Sequence, residues 1–484
     1  MKSGSGIVHS VQALLMGTPS LDGKSAIVNG RPSWATALGE RGMLKFGIGA
    51  GFLLLAAVFA SLQDIPFDNG AIIIAAAVIG GYMALNIGAN DVANNVGPAV
   101  GSKALTMAGA LLIATVFEAA GAILAGGDVV DTISKGIIDP SLMPDDMTFV
   151  WAMMSALLAA ALWLNLATYI GAPISTTHAI VGGVMGAGIT ATGFGAVDWG
   201  TMSMITASWV ISPLMGGVIA ALFLAFIKFT IFAKEDMVAA ARRWVPVLVA
   251  VMASVFSMYL AMKGFKKIWR PGPGMVVFVG GAAFAGAYVL SRFMVLKRSL
   301  TMANDRYQVR RLFVVPLICS AALLSFAHGA NDVANAIGPL AAIVGTLSAG
   351  GISTEVGIPL WVIVIGAIGI SVGLGLYGPK LIRTVGEQIT TLNPVRAFCV
   401  ALAAAITVII ASVMGLPVSS THIAVGAVFG VGFYRELLTN WPRNYKRRLV
   451  RRKYLFTIAG AWVITVPAAA LLAAFLFTVL MRIV

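Results

Sequence analysis

Apolar runs that are long enough to cross a lipid bilayer follow one another along most of this 484-residue chain. A helix of about 20 apolar residues spans the hydrocarbon core, whereas a lipid-spanning barrel shows alternating segments of about 10 residues. Charged residues make up 11% of the chain, against roughly 25% in soluble domains. We therefore predict an all-α, polytopic membrane protein with about 12–13 transmembrane segments.

Two polar motifs lie inside these apolar runs, and each occurs twice. Residues 88–94 read GANDVAN, and the same letters return at 329–335. Residues 171–178 read GAPISTTH and return as GLPVSSTH at 415–422. The motifs keep the same order in both copies, which indicates an internal duplication of the kind found in secondary transporters.

Loop charge predicts that the two halves have opposite orientations in the membrane. Five basic residues between 297 and 311 place the start of the second half in the cytoplasm, because cytoplasmic loops are rich in Lys and Arg. The linker 64–68 before the first half holds Asp64 and Asp68 and no base, which places it outside. If the run 174–192 crosses the membrane, the number of crossings between the starts of the two halves is odd. This count also gives the two halves opposite orientations. The basic loop 263–270 is an exception, since it falls outside in this scheme. We predict two inverted-topology repeats.

The same patterns divide the chain into four parts. Residues 1–69 form an N-terminal extension, with a polar cytoplasmic tail and an extra transmembrane helix near 46–62. Residues 70–232 form repeat 1, 233–311 supply connecting helices and a basic cytoplasmic loop, and 312–484 form repeat 2. The pairs Gly97-Pro98 and Gly338-Pro339 follow the GANDVAN motifs, so we expect discontinuous or re-entrant helices there. The expected location is the plasma membrane, which is the inner membrane in a bacterium.

The GANDVAN motifs place carboxylate and amide side chains at membrane depth. An ionised Asp at mid-membrane costs about 2.5–3.5 kcal/mol on insertion scales, so such a residue normally has a partner or a function. Helix capping explains one polar residue in each copy, but not three. Oxygen ligands of this kind suit Na⁺, and a carboxylate alone suffices for a proton. The predicted cation-binding residues are Asn90, Asp91, Asn94, Asn331, Asp332 and Asn335. Glu118, a lone acid in an apolar run, is a further functional candidate whose alternative role is structural pairing.

The second motif predicts an anion site. A Pro followed by hydroxyl residues marks a helix N-terminus, which offers free backbone N–H groups and a partial positive charge. Two such termini of opposite orientation can point at one place near the midplane. Plain capping by the hydroxyls is the alternative. The predicted anion-binding residues are Ser175, Thr176, Thr177, Ser419, Ser420 and Thr421.

Three of the four histidines, His178, His328 and His422, lie at these motifs. Their spacing does not fit a metal site, so each is expected to be structural or to carry a proton. The chain contains no G-x-S-x-G elbow, P-loop lysine motif or H-E-x-x-H, and we predict neither an enzyme nor a bound cofactor. The net charge of +14 lies in loops between apolar runs, which fits membrane orientation rather than nucleic-acid binding.

The two duplicated motifs resemble those of the inorganic phosphate transporter (PiT, or PHO4) family, over roughly residues 70–480. The resemblance implies a secondary symporter that imports inorganic phosphate with Na⁺ or H⁺ by alternating access and works as a homodimer in the lipid membrane. It also implies cation and substrate binding by the GANDVAN residues, phosphate contact by the Ser/Thr residues and a role in transport for Glu118. The chain departs from the family at Ala401, where members often carry a Glu. Sulfate permeases belong to the same family, so sulfate transport is the alternative, followed by an uncoupled anion channel.

Overall fold

The computed structural model describes residues 27–28, 31–32, 40–63, 69–127, 129–170, 174–264, 270–349, 357–388, 392–440, 449–450 and 452–483. The polar tail up to residue 39, apart from one short strand pair, lies outside these residues, as do the acidic linker 64–68, Pro173, and Lys266 and Lys267 of the basic loop. The strand pair joins β1 (Ile27–Val28) and β2 (Arg31–Pro32) in antiparallel fashion. The rest of the described chain is helical or forms loops and turns.

Among the described residues, nine α-helices precede residue 300. Most consist of Ala, Leu, Ile, Val, Gly and Phe without charged residues in their interiors, so they satisfy their backbone groups internally in an apolar medium. Two of them, α7 and α8, end in a short π-helical turn, at Lys228–Phe232 and Leu260–Gly264 respectively. The helices are α1 Glu40–Ser61, α2 Gly70–Asn90, α3 Ala93–Gly101, α4 Met107–Ala125, α5 Asp146–Ile170, α6 Thr176–Thr192, α7 Trp199–Ile227, α8 Met237–Tyr259 and α9 Pro273–Ser299.

The second half repeats this order after a short basic helix. Helix α10 (Arg306–Arg311) leads into a succession that matches α2 to α7 one for one, as the duplicated motifs require. The helices are α11 Val314–Asp332, α12 Ala334–Ala349, α13 Leu360–Gln388, α14 Pro394–Val413, α15 Ser420–Asn440 and α16 Arg452–Ile483.

Eleven stretches of the described chain are long and apolar enough to cross a membrane. This confirms the prediction of an all-α polytopic protein, although we expected about 12–13 segments. The difference lies in α6 and α15, which are not among the eleven. Both begin at a Ser/Thr motif, and both form the second arm of a helical hairpin.

Loop pairing identifies the first hairpin. Ile138 and Val197 form a β-bridge, and the backbone N–H of Asp139 donates to the carbonyl oxygen of Ala196 at 2.9 Å. The segment before α5 therefore touches the segment after α6, and the chain returns to the side from which it came. The pair contributes two crossings or none, so the odd number of crossings between the repeats holds in either case.

The second hairpin returns to the opposite side. The start of α14 and the end of α15 line one cavity, together with Lys228 and Phe232 at the end of α7. Helix α7 spans from Trp199, beside the base of the first hairpin, to that cavity. The tips of the hairpins meet in between, where the Thr177 hydroxyl donates to the carbonyl oxygen of Val418 at 3.0 Å. The repeats are inverted, as predicted.

Each repeat packs its first helix on the other repeat. Helix α2 lies against α13, and α11 lies against α4. A Cβ on Gly88 would overlap the carbonyl oxygen of Ile370, and one on Gly329 would overlap that of Glu118. The first residue of each GANDVAN motif is a glycine because two helix backbones touch there. The pairing also makes Ile370 the counterpart of Glu118.

The predicted helix interruptions are present, but in other positions. We placed them at the Gly-Pro pairs, whereas Pro98 and Pro339 lie inside α3 and α12. The breaks fall at residues 91–92 and at Val333, within the motifs themselves. The Asn94 side chain donates to the carbonyl oxygen of Asp91 at 2.9 Å and so holds the first break. Polar side chains can replace helical hydrogen bonds at such a break, which the sequence pattern alone does not reveal.

Helix α1 contains a further candidate span, Gly42–Ser61, where we expected an extra transmembrane helix near 46–62. Its residues Phe52, Ala56 and Ala60 pack with Leu85 of α2 and Ile365 of α13. The division into extension, repeats and connecting region stays a prediction.

Candidate functional site

The broken helices and the hairpin tips bring all four motifs to one buried place. The side chains that sequence analysis selected, from Asn90 to Thr421, come from both repeats and are almost fully removed from solvent. Three buried acids lie at this place, Asp91, Glu118 and Asp332, and they are accompanied by the imidazole of His328. We refer to the motif residues and this acid–imidazole set together as the central cluster.

Asp91 accepts hydrogen bonds from both hairpins. Its Oδ2 accepts from the hydroxyl of Thr176 at 2.6 Å, and its Oδ1 accepts from that of Thr421 at 3.1 Å. The Asn94 amide donates to the same Thr421 hydroxyl at 2.8 Å. Residues about 330 positions apart in the chain therefore share one carboxylate.

The second half makes the corresponding contacts. The Ser420 hydroxyl donates to Asp332 Oδ2 at 3.0 Å. The Asn335 amide donates to the hydroxyls of Thr176 at 3.1 Å and Thr177 at 3.2 Å. Asn335 therefore contacts the hairpin of the other repeat, as Asn94 does.

The remaining motif amides, Asn90 and Asn331, contact the first arms of the hairpins, α5 and α14. Asn90 lies 3.1 Å from the Thr168 hydroxyl, and Asn331 lies 2.9 Å from that of Ser412. In the amide orientation that satisfies both groups, each also donates to the Oδ1 of the neighbouring aspartate, at 3.2 Å and 3.0 Å respectively. These amides position the carboxylates.

Ser175 and Ser419 are used differently from the other hydroxyls. Ser175 Oγ accepts from the backbone N–H of His178 at 3.1 Å, and Ser419 Oγ accepts from that of His422 at 3.3 Å. Both are N-caps of their hairpin arms. The capping alternative therefore describes these two residues in this structure, whereas Thr176, Thr177, Ser420 and Thr421 point into the central cluster.

Glu118, His328 and Asp332 form a chain that has no counterpart in the other repeat. His328 Nδ1 lies 2.7 Å from Glu118 Oε2, and its Nε2 lies 2.8 Å from Asp332 Oδ2. The Asn95 amide donates to Glu118 Oε1 at 2.6 Å. The corresponding positions hold Ile370, Ile87 and Ala336. One half thus has an acid–imidazole–acid chain where the other half is apolar.

Sequence reasoning selected Glu118 and His328 separately and missed their contact. It also missed Asn95, although the two halves differ at that position. Asn94-Asn95 of the first half corresponds to Asn335-Ala336 of the second half. That local difference is the only signal that the sequence offered. The contact itself depends on how α4 packs on α11.

His178 and His422 lie apart from the carboxylates, where the hairpin tips cross. Their ring centroids are 4.3 Å apart, and the pair is flanked by Trp209 at 3.8 Å and Trp462 at 3.5 Å. Trp209 Nε1 donates to the carbonyl oxygen of Pro417 at 3.2 Å. This packing fits the structural role that we considered for these two histidines. The tryptophans, one from each repeat, were not anticipated.

The central cluster is rich in acids and contains no Lys or Arg. Among the described residues, no Lys or Arg is buried, so His328 is the one basic group beside the three carboxylates of the central cluster. Oxygen and nitrogen atoms of Asp91, His328 and Asp332 lie within 4.8 Å of one another. The histidine spacing predicted no metal site, yet the fold brings one histidine to two aspartates. Buried carboxylates this close repel each other unless a cation or protons lie between them.

Ala401 lies on α14 and is fully buried in the apolar core. The packing of the repeats assigns Ile370, not Ala401, as the counterpart of Glu118. Glu118 and Ile370 lie on α4 and α13, so the departure noted at Ala401 concerns neither of these two positions.

Comparisons with known proteins agree on one family. The family model described as "Phosphate transporter family" matches residues 87–473. A Helicobacter pylori (strain J99) protein named "Putative phosphate permease" is 46% identical over 91% of this chain and 96% of its own length. A Chlamydia trachomatis protein with the same name is 39% identical over 83% and 97% respectively. A solved structure titled "The sodium-dependent phosphate transporter" superposes with a TM-score of 0.80 at 37% identity, covering 86% of this chain and all of that one.

Proposed function

This chain belongs to the phosphate transporter family, and from that premise we propose that it imports inorganic phosphate by symport with Na⁺ at the central cluster. It is a multi-pass membrane protein and not an enzyme. The observation that carries the coupling is the excess of buried carboxylates over basic groups. Sulfate transport, which was the alternative, is tested by measuring the flux of both anions.

The hairpin tips supply the groups that an oxyanion needs. Helices α6 and α15 begin at the central cluster and come from opposite sides, so two partially positive helix ends point toward one place. Thr176, Thr177, Ser420 and Thr421 add hydroxyl donors beside these ends. Neutral donors hold a phosphate without fixing it permanently, which suits a substrate that must be released.

The acids supply the reason for coupling. Phosphate would approach Asp91, Glu118 and Asp332, and the like charges would oppose its binding in a medium of low dielectric constant. A bound cation removes this repulsion, and a bound phosphate in turn attracts the cation. Each therefore raises the affinity of the other, which is the thermodynamic basis of obligatory symport.

Na⁺ is the coupling ion that the oxygen-rich surroundings favour. Carboxylate, amide and hydroxyl oxygens surround the two aspartates, and the superposed structure is that of a protein titled sodium-dependent. Protons are the second candidate, because the chain from Glu118 through His328 to Asp332 has two acceptors around one imidazole and can hold an exchangeable proton.

We also propose that the hairpins act as alternating covers. Each hairpin closes the central cluster from its own side, so moving one while the other stays would open one face at a time. The side with the α14–α15 base carries Arg396 and Arg435 and is assigned to the cytoplasm by its positive charge. A homodimer stays a prediction.

Flux measurements test this proposal. Purified protein in liposomes is expected to accumulate labelled phosphate when an inward Na⁺ gradient is imposed at equal pH. Accumulation with a pH gradient alone would assign the coupling to protons. Downhill equilibration that is indifferent to both gradients would indicate a channel, and uptake of sulfate without phosphate would refute the choice of substrate.

A further inference from the structure

A cavity of about 230 Å³ on the basic side of the protein is lined by five cationic side chains. They come from four separate elements, namely the end of α7, helix α10, the first turn of α14 and the last turns of α15. The cavity also has an apolar wall that includes Leu224 and Phe232. We call it the basic pocket, and its cations are Lys228, Arg306, Arg310, Arg396 and Arg435.

No carboxylate lines the basic pocket in the part of the chain that the structure describes. Arg310 and Arg435 lie close enough to Arg396 to act on it electrostatically. The neighbouring acid Asp305 caps α10 by accepting the backbone N–H groups of Tyr307 and Gln308, at 2.7 Å and 2.9 Å. Five like charges around one cavity repel one another, and an anion in the cavity would relieve that repulsion.

The shape of the pocket adds to its charge. Helix α14, of 20 residues, begins at the pocket, so its partially positive end lies beside the guanidinium groups. Its cap Asn393 accepts the backbone N–H of Arg396 at 3.0 Å, which fixes where that side chain begins. Guanidinium groups match the geometry of phosphate oxygens and bind them through two parallel hydrogen bonds.

The basic pocket is separate from the central cluster. Helix α15 links the two, since Ser420 belongs to the cluster and Arg435 to the pocket. Fifteen residues of helix place them about 22 Å apart. None of the central motif residues lines the pocket.

We propose that the basic pocket binds a phosphate group, carried either by an anionic lipid headgroup or by inorganic phosphate. Both sources present the same chemistry, namely tetrahedral oxyanion oxygens facing several guanidinium groups. The apolar wall leaves room for the glycerol and acyl part of a lipid. The site does not depend on transport at the central cluster.

The test compares two double variants of the full-length protein. Lys228→Gln with Arg310→Gln removes two charges from the pocket and keeps a polar side chain at each position. Arg243→Gln with Lys297→Gln removes two charges from elsewhere on the same side. Thermal unfolding and size-exclusion profiles of both must match the wild type, and if the pocket pair fails this check, each of its two substitutions is measured alone.

The lipid arm measures retention of phosphatidylglycerol against phosphatidylcholine by native mass spectrometry. The phosphate arm measures binding of inorganic phosphate by calorimetry in neutral detergent without Na⁺, so that binding at the central cluster is weak. We expect the pocket variant to lose binding at least tenfold in one arm, with the control unchanged, and that arm identifies the source. Equal binding by the pocket and control variants in both arms would overturn the proposal.

Discussion

At the scale of single residues, Asp91 has an unusual position because it accepts hydrogen bonds from threonines of both repeats, at 2.6 Å and 3.1 Å. A carboxylate in this position accepts both hydrogen bonds only while both hairpins are closed. Its charge, and not only its size, should therefore decide whether the cation binds.

Asp91→Asn keeps the shape of the side chain and removes its charge. Loss of a charged hydrogen-bonding partner costs roughly 1.5–3 kcal/mol, so cation affinity should fall about 10- to 150-fold and coupled uptake should be lost. Labelled-phosphate accumulation checks this. Asp332→Asn should behave in the same way.

Asp198→Asn is the matched control. Asp198 is the exposed N-cap of α7, where hydrogen bonding from the backbone N–H of Thr201 lowers its pKa. It lies outside the central cluster, so uptake should persist. Normal accumulation by both Asp91→Asn and Asp332→Asn would remove the proposed cation role.

The one-sided chain from Glu118 to Asp332 leads to a second prediction. His328→Gln keeps a polar side chain between the two acids and removes the titratable group. If Na⁺ is the coupling ion, the variant should retain Na⁺-dependent uptake and show a flatter dependence on external pH than the wild type. Uptake measured from pH 5.5 to 8.5 at fixed Na⁺ checks this, and a pH profile identical to that of the wild type would contradict it.

Sequence reasoning at this scale selected residues that the structure brings together, but it could not tell which contacts each of them makes. Repeated polar motifs in apolar sequence are visible without a structure because each buried polar group is costly. Whether a hydroxyl caps its own helix, as Ser175 does, or faces a carboxylate, as Thr176 does, depends on backbone angles at the hairpin tip. No composition or spacing encodes that difference.

At the scale of elements, the close contact of α11 with α4 depends on Gly329. Gly329→Ala places a methyl group where the carbonyl oxygen of Glu118 lies, and the backbones must separate. Overpacking of this kind costs about 1–3 kcal/mol. We expect a lower unfolding temperature, measured by thermal unfolding in detergent. The separation of the backbones should also weaken the acid–imidazole chain.

Gly281→Ala is the control for that substitution. Gly281 is also within a helix, α9, and a Cβ there meets nothing within 4 Å. Its unfolding temperature should stay at or slightly above that of the wild type, because alanine favours helix. An equal fall in both variants would show that the contact at Gly329 has no special role.

Helices were predictable at this scale because a long apolar run in lipid can satisfy its backbone hydrogen bonds in few other structures. Their breaks were predicted too, but at the wrong residues. Pro98 and Pro339 fit inside α3 and α12, while the chain bends at the preceding Asp-Val steps. The side chains that hold the bends, such as Asn94, are themselves site residues.

At the scale of the whole molecule, the structure requires the bases of the two hairpins to lie on opposite faces. Ser141, beside the first base, and Thr439, near the end of α15, are both exposed. In a background with Cys319 and Cys399 replaced, Ser141→Cys should react with an impermeant maleimide on intact cells. Thr439→Cys should react only after permeabilisation. Labelling of both from one side would contradict the inverted arrangement.

Charge in the loops and the duplicated motifs predicted this inversion. They could not predict that each repeat packs its first helix on the other, or that α6 and α15 return to the sides from which their hairpins began. Those features arise from contacts between residues more than 240 positions apart, such as Thr177 with Val418.

The most direct measurement is the affinity of the purified protein for inorganic phosphate with and without Na⁺. Calorimetry at constant pH and ionic strength would compare Na⁺ with N-methylglucamine. Mutual stabilisation at the acid-rich cluster predicts tighter phosphate binding in Na⁺, and loss of that difference in Asp91→Asn. Equal phosphate affinity in both salts, together with no Na⁺ effect on flux, would contradict the account.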